Sequence, residues 1–193
     1  VMEKILSNPK KISDVKNYNC SVLFADLNGF TELTNKMSPK KVIAILNVFF
    51  ETLVSVALKM NGTISQIIGD EVMVVFGSPI VQKDYSQRAI KSAKLMRSKV
   101  KSLSRKQPLI KGVSIGIASG KVITGNVGHK QFMRYAFVGP KVNLASRLTS
   151  LAGGNQIFVD EETIKNSFMF SSKFLGRKKI KGFLRKISVY EIL

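Results

Sequence analysis

The sequence predicts a mixed α+β fold with a ferredoxin-like core, in which a β-α-β-β-α-β sheet carries its helices on one face. Short apolar runs of β type alternate with longer segments whose apolar residues recur at helical spacing. A Gly-Asp pair at 69–70 joins two adjacent apolar runs in a manner typical of a hairpin. The C-terminal part adds further strand and helix signals, which predict an αβ extension of the core.

The individual elements follow from local signals. The first strand covers the apolar run 21–25 and ends at Asp26, before a turn at 27–30. A helix is predicted to begin at Ser38-Pro39, because serine caps helix starts and proline fits the first helical position, and to end near Lys59. The remaining predicted elements are strands at 63–68 and 71–76, a helix at 84–103, strands at 112–118 and 135–138, a helix at 142–151, and a tail of strand, helix, strand and a final strand near 187–193.

Composition restricts the chemistry. The chain has 193 residues, enough for one domain with a full hydrophobic core, and contains one cysteine and one histidine. A single cysteine excludes an internal disulfide and cannot build a zinc site, and a single histidine argues against a His-based metal centre or a Ser-His-Asp triad. We therefore expect catalysis to depend on carboxylates, amides and cations.

The charge balance is strongly basic, since 31 Lys and Arg against 12 Asp and Glu give a formal net charge of +19. Nucleic acid, a polyphosphate substrate or an anionic membrane surface would each use such charge, and a solvated basic surface is the alternative. The chain has no tryptophan and four tyrosines, so a base-stacking platform is not indicated. We therefore expect no nucleic acid partner.

Residues 1–17 are polar and rich in lysine, which predicts a linker or the end of an upstream helix before a domain at 18–193. The chain opens with Val-Met rather than Met, so we expect an upstream sensor or anchor in a longer protein. No signal peptide or membrane span is predicted, because the most apolar stretch, 42–58, is interrupted by polar residues and indicates a buried helix. The predicted location of the domain is the cytoplasm.

Two aspartates are the main candidates for a metal site. Asp26 ends the first predicted strand and Asp70 lies at the hairpin tip, and the first and third strands of such a sheet are neighbours. Mg²⁺ prefers oxygen ligands, and two carboxylates with substrate phosphates form a typical nucleotide site. The turn at 27–31 adds backbone N–H groups just before a helix, which suits a phosphate. The alternative is that both aspartates only shape turns.

A second group combines an amide with cations. Asn143 and Arg147 are four residues apart on a predicted helix and share one face, where they suit a sugar and a phosphate. Lys181 follows a basic run and could reach a triphosphate tail. The alternatives are an ordinary amphipathic helix and a basic surface strand.

Several motifs in series resemble those of class III nucleotidyl cyclases, over about residues 18–193. They are Phe-Ala-Asp-Leu-Asn-Gly-Phe-Thr at 24–31, Ile-Gly-Asp-Glu at 68–71, Gly-Ile-Ala-Ser-Gly at 116–120, Gly-Asn-Val-Gly at 125–128, Tyr-Ala-Phe-Val-Gly at 135–139 and Val-Asn-Leu-Ala-Ser-Arg-Leu at 142–148. The resemblance implies a catalytic domain that converts a nucleoside triphosphate, with ATP favoured, into a 3′,5′-cyclic nucleotide and pyrophosphate. It also implies a head-to-tail homodimer and two Mg²⁺ or Mn²⁺ ions.

The resemblance assigns roles on both sides of that dimer interface. Asp26, Asp70 and the backbone of Leu27 would bind the metal ions. Asn143 and Arg147 of the partner subunit would be catalytic. The implied substrate-binding residues are Asn28, Gly29, Phe30, Thr31, Gln66, Ala136 and Lys181.

The chain departs from the family where the base is read. Adenylyl cyclases usually have Lys at the position of Gln66 and Asp or Thr at that of Ala136, and guanylyl cyclases usually have Glu and Cys. Gln66 can donate to or accept from either purine, and Ala136 offers only a methyl group, so weak base discrimination is expected. Pro140 replaces an Asp common after the preceding Gly and is expected to stiffen the entry to the following helix. A guanylyl or dual-specificity cyclase, and a regulatory nucleotide-binding module with little turnover, are the alternatives.

Overall fold

The computed structural model describes residues 15–193. The strands are β1 (Lys16–Leu27), β2 (Thr63–Ile68), β3 (Glu71–Phe76), β4 (Val113–His129), β5 (Phe132–Val138), β6 (Ile157–Asp160), β7 (Ser172–Lys178) and β8 (Ile187–Ile192). The helices are α1 (Phe30–Lys36), α2 (Pro39–Lys59), α3 (Tyr85–Lys106), α4 (Pro140–Leu151) and α5 (Glu161–Lys165). The predicted linker at 1–17 lies outside the described residues except for its end, where Lys16 and Asn17 already belong to β1.

The eight strands found in residues 15–193 form one sheet, in the order β2-β3-β1-β4-β6-β8-β7 with β5 paired to β4. β1 lies antiparallel between β3 and β4, and β4 is parallel to β6. The succession β1, α2, β2, β3, α3, β4 therefore forms the predicted ferredoxin-like core, and β6, β8 and β7 extend it. The mixed α+β class is confirmed.

Strand β4 differs most from its prediction. The sequence predicts it at 112–118, whereas it continues to His129 through Gly120, Gly125 and Gly128. Its first part pairs with β1, and its last part pairs with β5 as a hairpin. Glycine is a poor strand former, so local propensity does not indicate this extension. Pairing with two neighbouring strands supplies the backbone hydrogen bonds that stabilise it.

Different helices cover the two faces of the sheet. α2 and α3 pack on one face, over a core that includes Leu23, Val74 and Ile115. α4 packs on the other face, against Val22 and Phe24. The helices of the ferredoxin-like core thus lie on one face, as predicted, and the helix that follows β5 covers the opposite face.

Helix α2 is long and apolar enough to cross a membrane by length and composition, with a mean hydropathy of 1.9 in its most apolar window. Phe49, Leu53 and Ala57 are nevertheless fully buried in the core beneath it. The helix that the sequence predicts at 42–58 is therefore present, but only one of its sides is buried, since Ile43 and Leu58 are 58% and 57% exposed.

Candidate active site

Two carboxylates meet at the end of neighbouring strands. Asp26 is the penultimate residue of β1 and pairs in register with Glu71, the first residue of β3. Asp70 precedes Glu71 in the turn between β2 and β3, and Leu27 N–H donates to Asp70 O over 3.4 Å. The structure thus brings Asp26 and Asp70 together, and their role as metal ligands stays a prediction.

This carboxylate pair is electrostatically unfavourable in the protein alone. Burial, the adjacent Asp70 carboxyl group and the charges of Asp70 and Glu71 raise the pKa of Asp26 to about 8. Burial and the charge of Asp70 also raise the pKa of Glu71. Within residues 15–193, no Lys or Arg forms an ion pair with any of the three. A bound cation would relieve this repulsion.

The donor set fits a hard divalent cation. Asp26 Oδ1 is buried without a hydrogen-bond partner, which leaves a lone carboxylate oxygen free to coordinate. In the described part of the chain, no group of three or more His, Cys, Asp or Glu is placed to hold a metal ion. Mg²⁺ is commonly held by one or two carboxylates and completes its shell with water and substrate phosphates, so two aspartates suffice.

The turn that follows β1 is well anchored. Gly29 has a φ of 79°, a conformation that favours glycine, and it immediately precedes α1. The N–H groups of Phe30 and Thr31, at the start of α1, therefore have no intrahelical acceptor. Asn28 Nδ2 donates to Ser114 Oγ over 2.6 Å. The side-chain amide of Asn28 thus anchors the turn to β4. The groups of the turn that remain available to bind a phosphate are the backbone N–H groups of Phe30 and Thr31.

Helix α4 presents the second candidate group. Asn143 and Arg147 are exposed on α4, and together with Lys181 they line a cavity of about 620 Å³. The structure therefore brings these three predicted residues to one place. Asp26 and Asp70 do not line this cavity. One copy of the chain thus separates the acidic pair from the amide and the cations.

A buried ion pair, which the sequence did not indicate, fixes the start of α4. Lys141 Nζ lies 2.7 Å from Asp160 Oδ2, and the Asp160 side chain is 3% exposed. Asp160 Oδ1 accepts hydrogen bonds from Ser119 N–H, Thr163 N–H and Thr163 Oγ1 over 3.3, 3.0 and 2.6 Å. Pro140 is the first residue of α4, where proline fits, so α4 begins two residues earlier than predicted.

Helix α4 also approaches the sheet closely at Gly116. A Cβ at Gly116 would collide with Ala145 O and Thr149 N on α4. Thr149 Oγ1 donates to Phe24 O on β1 over 3.3 Å. These contacts hold the helix that carries Asn143 against the centre of the sheet.

Gln66 and Ala136 line one cavity, of about 510 Å³, formed by residues of β2, β3, β5 and α4. Arg134 and Tyr135 also line it, although neither was a predicted site residue. Tyr135 OH donates to Thr124 Oγ1 over 2.9 Å. The polar side chains left for a ligand are those of Ser65, Gln66 and Arg134. Arg134 lies two residues before Ala136, and strand periodicity places both on one face of β5. This spacing is the sequence signal that could have identified Arg134 as a residue of the cavity.

A family model described as the adenylate and guanylate cyclase catalytic domain matches residues 13–193. Adenylate cyclase 1 of Rhizobium meliloti is 26% identical over 181 residues, which are 90% of this chain and 27% of that protein. The chain spans about a quarter of the length of the first curated relatives that it matches.

Two solved structures resemble the fold over nearly the whole chain. The adenylyl cyclase CyaB from P. aeruginosa has a TM-score of 0.89 at 30% identity, and the match covers 93% of this chain and 96% of that one. The guanylate cyclase domain of RhGC from Catenaria anguillulae, in complex with GTP, has a TM-score of 0.86 at 26% identity and covers 92% and 98%. Because one is an adenylyl and the other a guanylate cyclase, the similarity does not select a purine.

Proposed function

Because the chain belongs to the adenylate and guanylate cyclase catalytic-domain family, we propose that it converts a nucleoside triphosphate into the 3′,5′-cyclic nucleotide and pyrophosphate, at a site shared by two copies of the chain. The observation that carries the proposal is the separation of two complementary groups. Asp26 and Asp70 form an acidic pair at one place, and Asn143, Arg147 and Lys181 line a cavity elsewhere. A head-to-tail dimer would bring the acidic pair of one subunit to the cavity of the other.

The acidic pair would hold two Mg²⁺ or Mn²⁺ ions, together with the backbone of Leu27. The raised pKa of Asp26 and its unpartnered buried oxygen support this assignment, because a cation would satisfy both. When bound, such ions lower the pKa of a hydroxyl nucleophile and neutralise phosphate charge. The backbone N–H groups at 29–31 would bind phosphate oxygens beside the aspartates.

The other subunit would supply orientation and positive charge. Asn143 of the partner subunit would hydrogen-bond the ribose and hold its 3′-oxygen in line with the α-phosphorus. Arg147 of the partner subunit would stabilise the charge that develops as the bond from O3′ to phosphorus forms and the bond to pyrophosphate breaks. Lys181 of the partner subunit would bind the leaving phosphates.

We propose ATP as the main substrate, with GTP accepted as a second substrate. The Gln66 amide can donate and accept, so it can pair with the edge of either purine, whereas the Ala136 methyl group contributes no hydrogen bond. A cavity with so few fixed donors and acceptors discriminates weakly between bases. The similarity to both adenylyl and guanylate cyclases is consistent with this expectation.

The first test is incubation of the purified chain with ATP or GTP, each with Mg²⁺ or Mn²⁺, and chromatographic measurement of the cyclic products. Formation of cyclic AMP or cyclic GMP would support the proposal. A folded dimer that binds nucleotide but forms neither product would contradict it and favour the regulatory module.

Mixing two inactive variants tests the shared site. Asp26→Ala and Arg147→Ala should each be inactive alone, but a heterodimer of the two keeps one intact site. Half of the randomly formed dimers are heterodimers, so about a quarter of the unmodified activity should return. The matched control mixes Asp26→Ala with Asp70→Ala, which leaves no intact site in any dimer. If heterodimers form and the first mixture stays inactive, the site is not shared.

A further inference from the structure

Helix α3 is basic along its exposed side. It contains eight Lys and Arg and no Asp or Glu. Its buried residues face the sheet, and its exposed basic residues are Lys91, Lys99, Lys101, Arg105 and Lys106. Of all its basic residues, Arg88 alone has an ion pair within residues 15–193, with Asp84 just before the helix. Most of the positive charge on α3 is therefore uncompensated.

Helix α2 packs beside α3 and exposes apolar side chains. Ile43, Val48 and Leu58 are 58%, 41% and 57% exposed. The same helix contains three lysines and one acidic residue, Glu51. The outer sides of α2 and α3, which we call the helical face, therefore combine exposed aliphatic groups with an excess of positive charge.

The proposed nucleotide site does not use this surface. Its residues lie at the end of β1 and in the turn after it, in the turn between β2 and β3, in the cavity beside β5, on α4 and in the loop after β7. α4 packs on the opposite face of the sheet from α2 and α3. Single exposed apolar residues are common on protein surfaces, but here several lie beside a helix that has no acidic residue.

We infer that the helical face binds an anionic lipid bilayer. Anionic headgroups attract clustered Lys and Arg, and aliphatic side chains insert at the boundary between headgroups and acyl chains. A nucleic acid would use the same charge, but it offers no apolar layer to Ile43, Val48 and Leu58. A bilayer accounts for both features. Since α4 and its cavity face away from the helical face, bound protein keeps the proposed catalytic site accessible.

Co-sedimentation of the full chain with vesicles tests the inference. Phosphatidylcholine vesicles with roughly one third phosphatidylglycerol should bind the chain, and rising salt should weaken this binding. Pure phosphatidylcholine vesicles should bind much more weakly. Combining Lys91→Gln, Lys99→Gln and Lys101→Gln should raise the dissociation constant about tenfold or more, because each lysine near a charged bilayer contributes to affinity.

A matched variant distinguishes the effect of the α3 lysines on vesicle binding from the effect of the total charge of the chain. Lys173→Gln, Lys179→Gln and Lys186→Gln also remove three exposed lysines, but from β7 and the loop that follows it, outside α2 and α3. This variant should keep its vesicle affinity within about twofold of the unmodified chain, because its three lysines lie away from the bound bilayer.

The apolar contribution has its own variant. Ile43→Ser combined with Leu58→Ser should weaken vesicle binding severalfold without changing its salt dependence, because no charge is altered. Absence of binding to anionic vesicles, or an equal loss in the two lysine variants, would overturn the inference. Tighter binding to duplex DNA or RNA than to vesicles would also overturn the inference, if the α3 lysine variant lost that binding and the variant of Ile43 and Leu58 kept it.

Discussion

The two halves of the proposed active site are stabilised in opposite ways. At the ends of β1 and β3, Asp26 and Asp70 lie together without an ion-pair partner in residues 15–193, and the pKa of Asp26 is raised. At the start of α4, the buried Asp160 has Lys141 and three hydrogen-bond donors around it. The acidic half is therefore unfavourable until a ligand binds, whereas the α4 half is fixed without one.

This difference matches what each half would do. A carboxylate pair that must bind cations works best when no lysine or arginine already occupies it, and the cost is a less stable folded protein. A helix that must orient a ribose and a phosphate works best when its own position is held by satisfied buried contacts. We therefore expect that removing a charged group from the acidic half raises the stability of the metal-free protein, and that removing one from the α4 half lowers it.

The largest effect is expected from Asp26→Asn. Loss of an anionic ligand from the proposed metal site should lower kcat about a thousandfold. The amide also removes a half-buried carboxyl whose ionisation burial and Asp70 oppose, so the thermal unfolding midpoint without divalent cations should rise at neutral pH. Asp84→Asn is the control, because Asp84 pairs with Arg88 over 2.7 Å outside the proposed site. It should leave kcat unchanged and should not raise the midpoint.

The pH dependence of this stabilisation checks its cause. The pKa of Asp26 is about 8 in the folded protein and about 4 in an unfolded chain. Between these values the folded state retains a proton that the unfolded state has lost, so rising pH destabilises the metal-free protein. The midpoint difference between Asp26→Asn and the unmodified protein should therefore grow from about pH 4 to about pH 8. A constant difference would show that the raised pKa of Asp26 is not the cause.

A smaller effect of opposite sign is expected from Lys141→Met. It leaves Asp160, which is 3% exposed, without its cation. Breaking a buried pair costs about 3 kcal/mol or more, and because Lys141 is 27% exposed we expect about 2 kcal/mol in chemical denaturation. The kcat should fall as well, since α4 carries Asn143 and loses its anchor.

Two variants decide whether the anchor is specific. Lys141→Met combined with Asp160→Asn should recover most of the lost stability, because both charges then disappear together. Lys165→Met breaks an exposed ion pair with Glu161 and should cost well under 1 kcal/mol. If Lys141→Met costs no more than Lys165→Met, the ion pair does not fix α4.

The acidic half was more predictable from the sequence than the α4 half. Its position depends on local signals: a short apolar strand that ends in Asp26, and two strands joined by a Gly-Asp tip at Asp70. The Lys141–Asp160 pair joins residues 19 positions apart on α4 and β6, and no local pattern marks such a contact. The extension of β4 to His129 could not be predicted for a similar reason. Its glycines do not favour a strand locally, and the strand is stabilised by pairing with β5.

Gln66 and Ala136 belong to neither half, and their variants should have the smallest effect on turnover. Gln66→Glu with Ala136→Cys introduces the pair usual in guanylyl cyclases. A carboxylate accepts from the N–H groups of guanine but repels the acceptor N1 of adenine, so the ratio of cyclic GMP to cyclic AMP should rise about tenfold. An assay with equal ATP and GTP in one mixture measures this ratio directly.

Gln131→Glu is the control, because it makes the same glutamine-to-glutamate change at an exposed position outside the cavity and should leave the ratio unchanged. Because Asp26 and Arg147 are untouched, total turnover should change far less than in Asp26→Asn, and an unchanged ratio would mean that the base is read elsewhere.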